Sequence, residues 1–306
     1  MSKTTRVPQA TSRGRIVVTG ASGFIGSRFA ETARLEGWEV VTPSRKDLGD
    51  PEVFASEDVV MHCAAMAHFH RRASSEEELV EANVRLTQQL AMTAASCKVK
   101  RFIFLSSVKA VGESTDRRGP IGNESRCLPE DAYGKAKFAA ERELTIVAET
   151  TNLDICIVRP PLVYGPGVKG NFAKICRLVM AGWPMPVRSI QNKRSFIGLT
   201  NLVDFLLLCA NHPVAKKQTF VICDGEDLST LELVEQIAAA NQRMARTVSF
   251  PIGWLEKSLA FFGRGDGVRR LRCSLEVDDS LTREMLGWRP VKSLRQELRE
   301  TIDSLK

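Results

Sequence analysis

The feature that most restricts how this 306-residue chain can fold is the turn Thr19-Gly20-Ala21-Ser22-Gly23-Phe24-Ile25-Gly26. It joins a β-branched run, Arg15 to Thr19, to a segment in which Ile25, Phe29 and Ala33 recur four apart, as one face of a helix requires. The helix is predicted to reach about Glu36, with Gly37 as its left-handed terminator. A strand that turns directly into a helix needs residues without Cβ where the backbone bends and where the helix starts against the sheet. The free N–H groups of the first helical turn then face whatever anion lies in front of them. Gly20, Gly23 and Gly26 supply this spacing, as GxxGxxG rather than GxGxxG. The stretch Gly20, Ser22, Gly23, Phe24, Ile25 and Gly26 is therefore the predicted phosphate-facing part of a dinucleotide site.

The pattern continues as strand and helix in alternation, which predicts a parallel sheet covered by helices. Strands are expected at Glu39–Thr42, Asp58–His62, Arg101–Leu105 and Asp154–Val158, with helices at Glu77–Cys97 and Asp131–Glu149. Pro160-Pro161 breaks the regular structure. Beyond it, helices are expected at Asn171–Ala181 and Asn201–Ala210, and Thr219–Cys223 reads as a late strand of the main sheet. The fold class is α/β: a Rossmann-type doubly wound parallel sheet with a smaller, mostly helical C-terminal substrate domain. The expected division is a polar tail over 1–13, an NAD(P)-binding domain over 14–168, and a mainly substrate-binding region over 169–306 whose segments near 195–223 return to the main domain.

Composition narrows the class. Apolar residues make up 43% and charged residues 26%, as in an ordinary globular protein. No run of 18 apolar residues is present, so no membrane span is expected, and the polar start lacks a secretory signal. Eight scattered cysteines without a CxxC pair suit reduced thiols, and with them a cytoplasmic location. The net charge of +7 is spread along the chain without a basic block, which suits a phosphate-bearing small ligand better than nucleic acid. Of the four histidines, only His68 and His70 are close in sequence, and no third ligand completes a metal site. Ser106-Ser107 lacks the glycines of a GxSxG elbow, against serine hydrolysis.

Two stretches carry chemistry. After the second strand, an NAD site usually presents an acid to the ribose. Here Ser44 and Arg45 follow instead: the serine can donate a hydrogen bond and the arginine fork can pair with a 2′-phosphate, which favours NADP over NAD. Tyr133 and Lys137 are four apart in a predicted helix and so share a face. An adjacent ammonium favours the phenolate, which lowers the phenol's pKa from ~10 toward the working range. Such a group can take a proton from an alcohol while hydride leaves, or return one to a carbonyl. Ser106 and Ser107 stand at the end of the fourth strand, where Ser107 can hydrogen-bond the reacting oxygen. A lone YxxxK pair is equally compatible with a half-buried aromatic beside a solvated lysine; its place after the serines gives it weight.

The ordered set TGASGFIG, HCAA (His62–Ala65), LSSVKAVG, YGKAK and RPPLVYGPG (Arg159–Gly167) resembles the extended short-chain dehydrogenase/reductases, in their nucleotide-sugar epimerase/dehydratase family. The resemblance covers nearly the whole chain. It implies catalytic roles for Ser107, Tyr133 and Lys137, with Lys137 also touching the nicotinamide ribose, and puts Ala64, Ala65 and Pro160 beside the cofactor. AAMAHFH, VKGNF and KRSFIGLTNLVD are similar to 4-epimerases and, more closely, to reductases of UDP-4-keto-6-deoxy amino sugars. By that similarity His68 faces the sugar, Asn171 and Arg194 contact the nucleotide diphosphate, and Arg269 or Arg270 adds a phosphate contact. Val111 replaces an aromatic common in relatives, and the absence of an Asp-Glu pair after the active serine disfavours a dehydratase. The expectation is an NAD(P)-dependent oxidoreductase at C4 of a UDP-sugar, favoured as a 4-keto-6-deoxy-N-acetylhexosamine 4-reductase. The alternatives are a UDP-glucose or UDP-N-acetylglucosamine 4-epimerase, and a non-catalytic dinucleotide sensor. The resemblance also implies a homodimer joined through the helices at 77–97 and 131–149.

Overall fold

A computed structural model describes residues 13–64, 76–249 and 272–306. Strand β1 (Arg15–Thr19) leads through the glycine turn to helix α1 (Phe24–Leu35) and β2 (Glu39–Val41). β3 (Val59–His62), α2 (Glu76–Ser96), β4 (Arg101–Leu105), α3 (Ala132–Thr150) and β5 (Ile155–Arg159) follow. With β8 (Thr219–Val221) these strands form one six-stranded sheet of order β2-β1-β3-β4-β5-β8, parallel at every pairing. The late strand expected at 219–223 thus joins the main sheet beside β5.

Side-chain alternation along the strands explains the layers. Ile16 and Val18, Met61, Ile103 and Leu105, Cys156 and Val158 point to one face, where they bury Phe29 and Ala33 of α1 and Leu202 to Ala210 of α5 (Leu199–Asn211). Val17, Val60, Phe102, Phe104, Ile155 and Ile157 point to the other, against Leu90, Ala91 and Ala94 of α2 and Ala140, Leu144 and Val147 of α3. Strands buried on both faces read as unbroken apolar runs, which is how these appear in the sequence.

Pro160-Pro161 ends β5, as expected, but regular structure resumes at once. β6 (Leu162–Tyr164) pairs in parallel with β7 (Phe196–Gly198) as a separate two-stranded sheet. The proline pair is thus a crossing point between sheets. A smaller, mainly helical subdomain packs around Tyr164: α4 (Gly170–Met180), α6 (Thr230–Ala240) and α8 (Leu294–Asp303), with α7 (Ser280–Leu286) preceding α8. α6 and α8 both open on capping boxes, Ser229 with Glu232 and Ser293 with Gln296, in which two otherwise orphaned N–H groups are satisfied reciprocally.

Candidate active site

The glycine turn is as tight as its sequence demands. Gly20 has φ +74°, and a Cβ there would fall 2.6 Å from the amide nitrogen of Ala64, at the end of β3. A Cβ on Gly26 would fall 2.3 Å from the carbonyl oxygen of Gly20. Two absent side chains therefore let α1 start against the strand ends. Gly23 is the N-cap, no side chain caps the helix, and its first turn holds no acid. Ser22 is exposed and Phe24 and Ile25 are half-buried there. This cradle, with its positive helix end turned outward, fits the pyrophosphate of a dinucleotide. Ala65 lies outside the described residues.

After β2, the serine expected to meet the cofactor is already engaged. Ser44 and Arg45 are exposed, but the Ser44 hydroxyl donates to Asp47 Oδ2 at 2.5 Å, within a turn closed by Asp47 N–H on the Ser44 carbonyl. Ser44 thus holds the Asp47 carboxylate within the same turn as Arg45.

Tyr133 and Lys137 occupy the first turns of α3. Asp131 caps that helix through the Gly134 amide at 2.7 Å and also accepts from Lys109 Nζ at 2.5 Å. Lys109 belongs to the 3₁₀ turn Val108–Ala110, which Ser107 caps by accepting from the Lys109 amide at 3.2 Å. A Cβ on Gly134 would fall 2.3 Å from the Lys109 carbonyl oxygen, so this glycine lets α3 press onto the turn that carries Ser107. Ser107 and Tyr133 thereby sit on abutting elements. Lys137 Nζ donates to the carbonyl of Leu105 at 2.6 Å and lies 6.0 Å from the Tyr133 ring centroid. The Pro160 carbonyl accepts from the Val108 amide at 3.1 Å, tying the proline crossing to the same turn.

The electrostatics correct one expectation. Lys137 does not lower the Tyr133 phenol in the protein alone: burial, then the nearby Asp131 carboxylate, push it up to about 12. Burial also lowers the Lys137 ammonium to about 8, against the opposing pull of Cys63 and Glu141. Shared desolvation outweighs the attraction between cation and phenolate at this separation. The shared face was legible in the sequence; the burial of both groups was not.

Two buried polar networks went unseen in the sequence. In the first, the Thr87 hydroxyl donates to the Asn83 carbonyl at 2.9 Å, so it accepts from His62 Nε2 at 3.1 Å, and His62 Nδ1 accepts from the Thr19 hydroxyl at 2.6 Å. Burial, with the Lys137 charge nearby, drops the His62 pKa to about 3 and keeps the ring neutral. This chain ties α2 to β1 at the residue before Gly20. In the second, Ser106 donates to Glu141, which Arg159 also grips with two nitrogens. Ser106 is thereby committed, and Ser107 is left as the serine that caps the turn against α3. A threonine four residues after Asn83 and a glutamate four after Lys137 were the signals available.

The remaining candidates are farther out. Asn171 is exposed in the first turn of α4. Arg194 is half-buried, and its guanidinium donates to the Cys273 carbonyl at 2.8 Å. His68, Arg269 and Arg270 lie outside the described residues. The second tyrosine, Tyr164, is 1% exposed and donates to Asp224 Oδ2 at 2.8 Å, a core role. Val111 lines a crevice of about 290 Å³ with Gly112, Ser114, Thr115 and Arg118. All eight cysteines are free thiols. Among the described residues, no cluster of three or more His, Cys, Asp or Glu is arranged for a metal, and no helix is long and apolar enough to cross a membrane.

A parallel sheet whose strand ends gather a glycine cradle, a capping serine and a Tyr-Lys helix defines an extended short-chain dehydrogenase/reductase. Comparison with known proteins agrees: residues 16–223 match the NAD dependent epimerase/dehydratase family, and the chain belongs to it. It is 38% identical to a UDP-glucose 4-epimerase of Vibrio cholerae, over 94% of each chain. Among solved structures, UDP-N-acetylglucosamine 4-epimerase from Bacillus cereus superposes with a TM-score of 0.77 at 19% identity, covering 95% of this chain and 99% of that one, a likeness of fold. MoeE5 in complex with UDP-glucuronic acid and NAD superposes with a TM-score of 0.75 at 25% identity, over 95% and 98%.

Proposed function

We propose that this protein is an NAD(P)-dependent oxidoreductase acting at C4 of a UDP-sugar, and that it works as a 4-epimerase. The observation that carries the reading is the junction at Gly134, where α3 presses the Tyr133 segment onto the turn capped by Ser107, beside a cradle suited to a dinucleotide. Bound there, the dinucleotide would supply a hydride acceptor and donor. Tyr133 would take the proton of the C4 hydroxyl and later return it, and Ser107 would hold the same oxygen by its hydroxyl. Lys137 would hold the nicotinamide ribose and add positive charge beside the phenol. With the phenol at about 12 in the free protein, its activation falls to the assembled complex, where charge and water exclusion strengthen each interaction. Asn171 and Arg194 would meet the diphosphate.

The sequence favours a 4-reductase. The 38% identity over nearly full length to a UDP-glucose 4-epimerase supports the epimerase over it. The reductase stays as the second reading because of Arg45, which suits the 2′-phosphate of NADPH. Purified protein given UDP-glucose, UDP-N-acetylglucosamine or a UDP-4-keto-6-deoxy sugar, with nicotinamide absorbance followed, separates them. Epimeric product without net loss of reduced cofactor is expected. Stoichiometric loss of NADPH on the keto sugar would establish the reductase instead. Dinucleotide binding with no turnover of any UDP-sugar would leave the sensor.

A homodimer is part of the same proposal. α2 and α3 run side by side, joined by Gln88 Nε2 donating to Glu143 at 2.6 Å. One turn further along, Met92 and Ile146 are each 49% exposed, apolar positions suited to a second copy.

A further inference from the structure

Tyr133, Lys137 and Glu141 are spaced four apart along α3 and so form one stripe, whose third member has no part in the chemistry proposed above. Glu141 is 3% exposed, and a carboxylate so buried is stable only when fully partnered. Its Oε1 accepts from the Ser106 hydroxyl and from Arg159 Nε at 3.0 Å; its Oε2 accepts from Arg159 Nη2 at 2.7 Å. The same Nη2 reaches the Cys127 thiol at 3.3 Å. One carboxylate thus ties the ends of β4 and β5 to α3, and through Cys127 to the loop that follows the Ser107 turn.

We propose that Glu141 is a positioning residue for the candidate proton-transfer set: with Arg159 it pins Ser106, so that Ser107 presents its hydroxyl toward Tyr133, and it balances the buried Arg159 guanidinium. The inference rests on the function proposed above. As a brace alone, the ion pair would be a poor choice, since a buried pair can be replaced by apolar packing without loss of stability. Its place explains it better. Ser106 and Ser107 are neighbours on an extended backbone, φ −160° and ψ 152° at Ser107, so successive side chains point to opposite sides. Fixing Ser106 on Glu141 therefore fixes the direction of Ser107. The Ser106 amide donates to Val158 at 2.8 Å, which holds the backbone between them. The carboxylate also supports the Lys137 charge against desolvation. Without it, the Arg159 guanidinium would be left uncompensated in the core, and Lys137 would lose a charge that favours its protonated form.

The test compares pH–rate profiles for UDP-sugar turnover in the wild type, Ser106→Ala, Glu141→Gln and the doubly substituted Glu141→Gln/Arg159→Met. Ser106→Ala should lower kcat roughly tenfold to a hundredfold, as slight misplacement of a reacting group does, with the profile at its wild-type pH. Glu141→Gln should lower kcat and also move the profile about one unit toward acid. The double variant removes the lone charge and guards against a fold lost to it: with the carboxylate near Lys137 still missing, its profile should stay displaced toward acid and its kcat low. Cofactor binding by fluorescence, unchanged throughout, reports folding. Wild-type kcat in the double variant, or a Glu141→Gln profile that does not move, overturns the inference. An inactive wild type would instead overturn the proposed function.

Discussion

Lys137 donates its Nζ–H to the carbonyl oxygen of Leu105 at 2.6 Å, binding the stripe of α3 to the last residue of β4. The same nitrogen lies 4.6 Å from the Phe104 ring centroid, so the ammonium is held by strand and aromatic together. Tyr133 is thus carried on a helix anchored at both its cap and its second turn. Replacing its hydroxyl removes no contact of that anchor. We expect Tyr133→Phe to lower turnover about 10²–10⁴-fold, the usual weight of a positioned acid–base group, with dinucleotide affinity nearly unchanged. Steady-state kinetics with a cofactor titration checks this; full activity in the variant removes the phenol from the reaction.

Gly134→Ala should destabilise the protein, although alanine is the better helix former by about 1 kcal/mol. The added Cβ would lie 2.3 Å from the Lys109 carbonyl oxygen, a backbone atom fixed within the Ser107 turn. Forcing a methyl into such a contact costs about 1–3 kcal/mol. It would also part Tyr133 from Ser107. A lower Tm together with lost turnover is the expected result; a raised Tm would mean that the helix and the turn do not press together.

His62 makes stability depend on pH in a definite direction. Its folded pKa of about 3 lies below the unfolded value of ~6.5. Above the unfolded value both states are neutral and its contribution is fully present. As pH falls from ~6.5 toward 3, only the unfolded state takes up the proton, and stability is lost at up to about 1.4 kcal/mol per pH unit. Between pH 6 and 5, where most carboxylates have yet to titrate, denaturant unfolding should show this slope in the wild type. His62→Gln should lack it; an unchanged slope would locate the titration elsewhere.

In the proposed cofactor site, Arg45 and Asp47 would oppose one another at the adenosine end. Asp47 accepts from Ser44 at 2.5 Å and would repel a 2′-phosphate that Arg45 attracts. We expect Arg45→Ala to weaken NADPH about tenfold or more and NADH far less, from the loss of one charged hydrogen bond. Asp47→Asn should strengthen NADPH. Equal effects on both cofactors, read by fluorescence titration, would take Arg45 out of the site.

Met92 and Ile146, one turn beyond the Gln88–Glu143 hydrogen bond, give the dimer proposal its test. Met92→Asp combined with Ile146→Asp should halve the mass seen by light scattering and leave the far-UV circular dichroism unchanged. A wild type that scatters as a monomer ends the proposal.

Much of the site could be read directly. Gly20, Gly23 and Gly26 declared the turn because at Gly20 and Gly26 only a residue without Cβ fits, a local constraint. The i, i+4 pairing of Tyr133 and Lys137 followed from helix geometry alone. The roles of Glu141, Arg159, Thr87 and His62 did not, since each depends on a partner at least 18 residues away. The phenol's pKa follows the same rule: the sequence shows that an ammonium is near, and burial decides which effect dominates.

By itself, then, the amino-acid order determined the alternation of strand and helix, the glycine turn and the stripe on α3, because backbone sterics and side-chain periodicity act over a few residues. Only the tertiary structure decided that Ser106 turns inward to Glu141, that Pro160-Pro161 carries the chain into a second sheet, and that Asp47 occupies Ser44. Those outcomes rest on which buried polar group finds which partner. That competition is settled by packing across the whole chain, where an unpartnered donor or charge is too costly to leave in the core.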